Sequence, residues 1–216
     1  MARPKSEFLK ALGVMWEIWQ ALVNEVLALG GDDNSLRRIL TNAKLRRELA
    51  LLIVNKAKEM WKSLTSTGVT GETWITHLEG KGFRVDDYAK QILRSEAFTS
   101  TTGTVYDLVV IKGEEFPTDA ERTNEKVRAE AKRRGYLTPP AEVAPMLRES
   151  ISDKEIEKMG LYALIVMHEP VAGADDDLYL LGVNRYGGGQ WLLSYLGFPQ
   201  RQWIRARGFV FLAPRT

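Results

Sequence analysis

Seven apolar residues near the N-terminus, Phe8, Leu12, Met15, Trp19, Leu22, Val26 and Leu29, recur at alternating spacings of four and three. Such spacing makes one stripe only on an α-helix, so it predicts a helix from Ser6 to Leu29 that buries this stripe against another helix. Leu9, Trp16 and Val23 widen the stripe, and Gly30-Gly31 ends it. Past Gly103 the period changes. "TGTVYDLVVIKG" is rich in β-branched residues and bounded by glycines, and "LYALIVMHEP" is nearly all apolar, as a strand buried on both faces should be. The two periods together predict an α+β protein, with a helical N-terminal half followed by a C-terminal antiparallel β-meander with short packing helices.

Local signals divide the chain further. Asn42 can cap a long helix, "AKLRRELALLIVNKAKEMWKSL", whose apolar residues would meet the first helix antiparallel, giving a helical hairpin over 1–66. A Gly/Thr linker and a short helix pair, "ETWITHLEGKGF" and "DDYAKQILRSEAF", occupy 67–102. A DNA-reading helix-turn-helix is disfavoured there, because Asp86 and Asp87 would meet phosphate with the wrong sign. The α+β domain then runs over 103–216. It opens with its first strand, followed by a basic helix capped by Thr123, and a turn at Pro139-Pro140 leads to a short helix after Pro145. The capping box Ser152/Glu155 starts another helix, and Asp175–Asp177 and Gly187–Gly189 fall at hairpin turns.

Composition narrows the function. The formal charge of +2 over 216 residues is near balance, so the global signal for nucleic acid is weak, and the absence of cysteine removes thiolate chemistry. Glu17 and Glu25 interrupt the only long apolar run, which argues against a membrane span. A cytoplasmic setting without membrane partner is the expectation.

The order of "GYLTPPAEVAPMLRE", "MHEP", "GGGQWLLSYLG", a late Trp203 and "FVFL" resembles a set of uncharacterised bacterial proteins of unknown function, mainly over the last 80 residues or so. The resemblance supplies no catalytic residues.

Candidate chemistry is sparse. His168 and Glu169 are the catalytic candidates, since His168 with an aspartate from the 175–177 turn could form a small acid–base or metal site. That set is short of the three or four ligands a metal needs, so no metal or cofactor is expected. His168 also reads as a strand-end residue with its ring against the core. Asp107, Tyr106 and Arg185 complete the list for a sheet-cleft enzyme. For binding, two surfaces stand out. Trp16 and Trp19 on the first helix suit a protein partner or self-association. Arg185, Arg205 and Arg207, with Arg201, lie among Trp191, Tyr195 and Trp203, the mixture single-stranded nucleic acids favour. The leading expectation is a non-catalytic binding or regulatory module. An RNA or single-stranded nucleic-acid binder and a small hydrolase-like enzyme centred on His168 are the alternatives.

Overall fold

A computed structural model describes residues 12–50, 60–185, 187 and 189–214. Phe8, Leu9 and much of the expected second long helix lie outside these. The chain forms two compact units, Met1–Ala57 and Lys58–Thr216. In the first, helix α1 (Leu12–Ala28) stops at the glycine pair, and α2 (Asp33–Thr41) follows. Asp32 accepts a 2.8 Å bond from the Ser35 N–H and so caps α2, and Asn42 accepts at 3.0 Å from Leu45 N–H to cap the helical residues 43–50. No helix among the described residues is long and apolar enough to cross a membrane.

The second unit is α+β, but its sheet is mixed and curled rather than a plain antiparallel meander. Its strands are β1 (Lys62–Thr67), β2 (Arg84–Val85), β3 (Thr102–Lys112), β4 (Ala163–Val166), β5 (Val171–Ala172), β6 (Leu178–Asn184), β7 (Trp191–Leu196) and β8 (Arg207–Leu212). Their order is β1-β3-β8-β4-β6-β7-β2, with β5 on β6. Two pairings are parallel, β4 with β8 and β2 with β7. β4 is interior between β8 and β6, which is why all four of its residues are buried.

Strand β1 corrects the expected helix over 43–64. Trp61 and Leu64 mimic a helical spacing, but exposed Ser63, Thr65 and Thr67 alternate with Leu64 and buried Ser66, and pairing of Lys62 with Leu108 and Leu64 with Tyr106 decides the conformation. The expected helix pair forms as α3 (Gly71–Gly80) and α4 (Asp87–Arg94), but its connection contributes β2, so the pair belongs to the sheet unit. Asp86 caps α4 through Ala89 N–H (2.7 Å) and also accepts the Ser194 N–H of β7 (2.6 Å), a structural duty for this carboxylate.

Helices α5 (Asn124–Arg133), α6 (Val143–Ser150) and α7 (Asp153–Lys158) complete the unit. Thr123 caps α5, and the Ser152/Glu155 box starts α7, both as expected. Helix α6 begins before Pro145 rather than after it. The proline sits in the first turn, where its missing N–H has no intrahelical partner to lose. One sheet face packs on α3, α4, α6 and α7 through residues such as Leu78, Ile92, Leu147 and Ile156. The other carries Phe209, Phe211 and Ile165 beneath Val127 and Ala131 of α5 and beneath Trp203.

Candidate functional site

His168 settles first, because its environment is closed. Beyond the last β4–β6 pair, Ile165 with Gly182, the Leu181 N–H needs an acceptor, and His168 Nε2 provides one at 2.8 Å. Nδ1 lies 2.7 Å from the Glu169 carbonyl, which can only accept, so the ring is the neutral Nδ1–H tautomer. The ring is 1% exposed, and burial, aided by the Arg128 cation, pulls its pKa down to about 4, against the carbonyl bond. Both nitrogens are committed to backbone, where the imidazole completes a sheet edge. The other acid–base candidates do not gather around it. Glu169 is exposed, 4.0 Å from Arg128, Tyr106 donates to the buried Glu142 (2.6 Å), and Asp107 accepts from Ser63 (2.7 Å). Asp175 accepts from Tyr179 (2.7 Å). Among the described residues no three His, Asp or Glu side chains converge as metal ligands would.

A different cluster forms at the end of the sheet where β4, β7 and β8 begin and β6 ends. Register aligns Arg84 with Trp191, Trp191 with Asn184, Asn184 with Ala163, and Ala163 with Arg207. Residues in register share a face, so five strands present one row, Arg84-Trp191-Asn184-Ala163-Arg207. The Arg84 guanidinium lies 5.2 Å from the Trp191 ring centre. Gly189 makes room for it, since a Cβ there would come within 3.1 Å of both Arg84 Nε and Trp191 Nε1. Arg207 rests 5.1 Å from Tyr162 and 5.7 Å from Tyr195, and Arg185 approaches Tyr162 at 5.6 Å, all within cation–π range.

Tyr195 reaches into this row because Gly182 opposes it diagonally. A Cβ on Gly182 would meet the Tyr195 ring at 2.9 Å, and without one the ring lies across β6 and its hydroxyl accepts from Asn184 Nδ2 at 2.8 Å. Burial pushes the Tyr195 phenol above its usual pKa, against the opposing pull of Arg207 and of the Asn184 bond. Two polar atoms at the row have no hydrogen-bond partner among the described residues, Asn184 Oδ1 and Arg207 Nη1. Asn184 is 3% exposed, so its acceptor is costly to leave unpaired.

Charge sets this end apart. In the second unit seven described arginines, Arg94, Arg122, Arg128, Arg133, Arg134, Arg148 and Arg185, have a carboxylate within 4.0 Å. Arg84, Arg201, Arg205 and Arg207 have none among the described residues. Three of these four lie against aromatic rings, Arg201 over Trp203 at 5.1 Å. The structure thus brings Arg185 and Arg207 together and places Arg205 two residues from the row. Trp203 is not a ligand surface. It is 3% exposed, packs on Phe209 and donates its indole N–H to Asn124 at 2.8 Å. Trp16 and Trp19 stand on α1 in the first unit, 62% and 40% exposed. Arg84, Asn184 and Tyr162 were not among the sequence candidates, because only strand register joins them to Arg207.

The fold and this row define an α+β protein whose sheet ends in a row of arginine and aromatic side chains, with no carboxylate on Arg84 or Arg207 among the described residues. No protein-family model matches the chain, and no curated protein or solved structure is similar to it. That fits the unknown function of the proteins it resembles and gives no indication of a bacterial source.

Proposed function

We propose that the protein is a non-catalytic binding module that takes up an anionic group of its ligand at the Arg84-to-Arg207 row. The observation that carries this is the arginine distribution. Seven described arginines of this unit have a carboxylate within 4.0 Å, whereas Arg84 and Arg207 of the row, and Arg201 and Arg205, have none among the described residues. Guanidiniums that rest near aromatic rings, as those of Arg84 and Arg207 do, are partly ordered before binding and lose less rotamer entropy on meeting a carboxylate or phosphate. The commitment of both His168 nitrogens to backbone favours binding over acid–base chemistry.

Thermal unfolding with inorganic pyrophosphate tests this. At about ten times its Kd the ligand adds about 1.4 kcal/mol, an upward Tm shift of roughly 3–6 °C for a unit of this size. Arg207→Gln is expected to abolish most of the shift. No shift in the parent, or an equal shift in the variant, contradicts the proposal.

A second reading, a protein-interaction role through α1, is favoured by the exposure of Trp16 at 62%. Self-association through that face predicts an oligomer by light scattering that Trp19→Glu reduces to monomer. An unchanged mass would remove this reading.

A further inference from the structure

We infer that a second cleft, between residues 115–121 and α5, binds a small zwitterion, a free amino acid with an apolar side chain. It shares no lining residue with the Arg84-to-Arg207 row. Two walls build it. Arg122, 2% exposed, fixes the first by donating to the carbonyls of Gly113 (2.8 Å), Phe116 (3.4 Å) and Trp203 (3.0 Å). Phe116 in turn packs edge-on against Phe209 of the core, with 6.4 Å between ring centres. The second wall is one face of α5, where Lys126, Ala129, Glu130 and Arg133 follow the helical spacing of three, four and seven. Arg134 joins the walls, donating to Glu115 on the first (2.8 Å) and to Glu130 on the second (2.7 Å). The space between them is about 460 Å³, within the usual range of small-molecule pockets.

Charge selects the ligand. Three carboxylates and three cations line the cleft, so its lining as a whole favours neither sign. Four of these six groups are spent on one another. Glu130 accepts from Arg133 and Arg134, whose bonds hold its pKa down to about 2, and Glu115 accepts from Arg134. Glu121 and Lys126 remain, and neither forms an ion pair among the described residues. Glu121 Oε2 is buried without a hydrogen-bond partner among the described residues, a costly state for a carboxylate oxygen, and an incoming ammonium supplies the missing donor. Lys126 is exposed and can take a carboxylate. Phe116, Pro117 and Ala129 offer apolar surface to the rest of the ligand. A phosphate would meet Glu121 with the wrong sign, and a polyamine would meet Lys126 so. A free amino acid carries both charges and an apolar body.

Ligand-observed NMR titration of the intact protein with L-phenylalanine and L-leucine tests this. Saturable binding is expected in the parent. Phenethylamine, which lacks the carboxylate, and 3-phenylpropionate, which lacks the ammonium, should each bind about tenfold more weakly than L-phenylalanine, the usual worth of a charge-assisted hydrogen bond. Glu121→Gln should weaken L-phenylalanine and phenethylamine and leave 3-phenylpropionate unchanged. Lys126→Met should do the converse, a split that misfolding cannot produce. Ala129→Leu, an exposed helix position, should fill the cleft and abolish binding while the thermal midpoint stays near the parent's. Absence of saturable binding by both amino acids overturns the inference. So does phenethylamine or 3-phenylpropionate binding as tightly as L-phenylalanine. Binding lost in Arg207→Gln but kept in Glu121→Gln would place the amino acid at the arginine row and overturn the cleft as its site.

Discussion

Arg148→Leu is expected to lower the stability of the sheet unit by about 3–5 kcal/mol, the usual cost of removing one partner from a buried charged network. Arg148 lies in the last turn of α6 and is fully buried. Its guanidinium donates to the Ile151 carbonyl (2.5 Å), the Asn184 carbonyl (3.4 Å) and Asp153 (3.1 Å), and lies 5.3 Å from the Phe83 ring. It thereby joins the α6–α7 corner to the end of β6, directly behind the candidate site. Burial pulls its pKa below the usual arginine value, with Asp153 opposing. Leucine would fill part of the volume but leave two buried carbonyls without their donor. Urea unfolding measures the effect. Arg94→Leu, which removes an exposed pair with Glu72, should leave the midpoint near the parent's and serves as control.

The second large effect depends on pH. The His168 ring in the folded protein has its pKa lowered to about 4, against an ordinary 6.5. The native state therefore holds the neutral ring, and the unfolded chain binds a proton first as pH falls. Stability from this group is fully present above pH 6.5, declines through the window from 6.5 to 4, and falls no further below it. At 1.36 kcal/mol per pKa unit the loss across the window is about 3 kcal/mol. His168→Gln should remove that part of the pH dependence, while costing about 1–3 kcal/mol at neutral pH if the amide fails to reach the Leu181 N–H. His77, half-exposed and bonded to Glu149, is present in both proteins, so the difference between their pH profiles isolates His168. Parallel pH profiles for parent and variant would show that the ring is not held neutral by the fold.

What the sequence revealed follows the range of the forces involved. Caps at Asn42, Thr123 and Ser152, and the turns between β5 and β6 and between β6 and β7, are set by neighbouring residues and were legible. So were β3 and the buried β4, from β-branched and apolar content. The parallel pairing of β4 with β8 was not, because the register of Ala163 with Arg207 leaves no local mark. Strand β1 was hidden by the helical spacing of Trp61 and Leu64. For the site, the mixture of Arg185, Arg205 and Arg207 with aromatics was visible as composition. Its geometry was not, since Arg84 joins through register with Trp191 more than a hundred residues away. Arg148 and Glu142 look like ordinary helix residues in the sequence, and only packing shows that both are buried.

Calorimetric titration of inorganic pyrophosphate into the intact protein, beside a variant carrying both Arg84→Gln and Arg207→Gln, tests the anion site most directly. Saturable binding in the parent that weakens as salt rises and disappears in the variant is the expected result. Equal heats in both proteins, or none in either, would contradict an anion site at this end of the sheet.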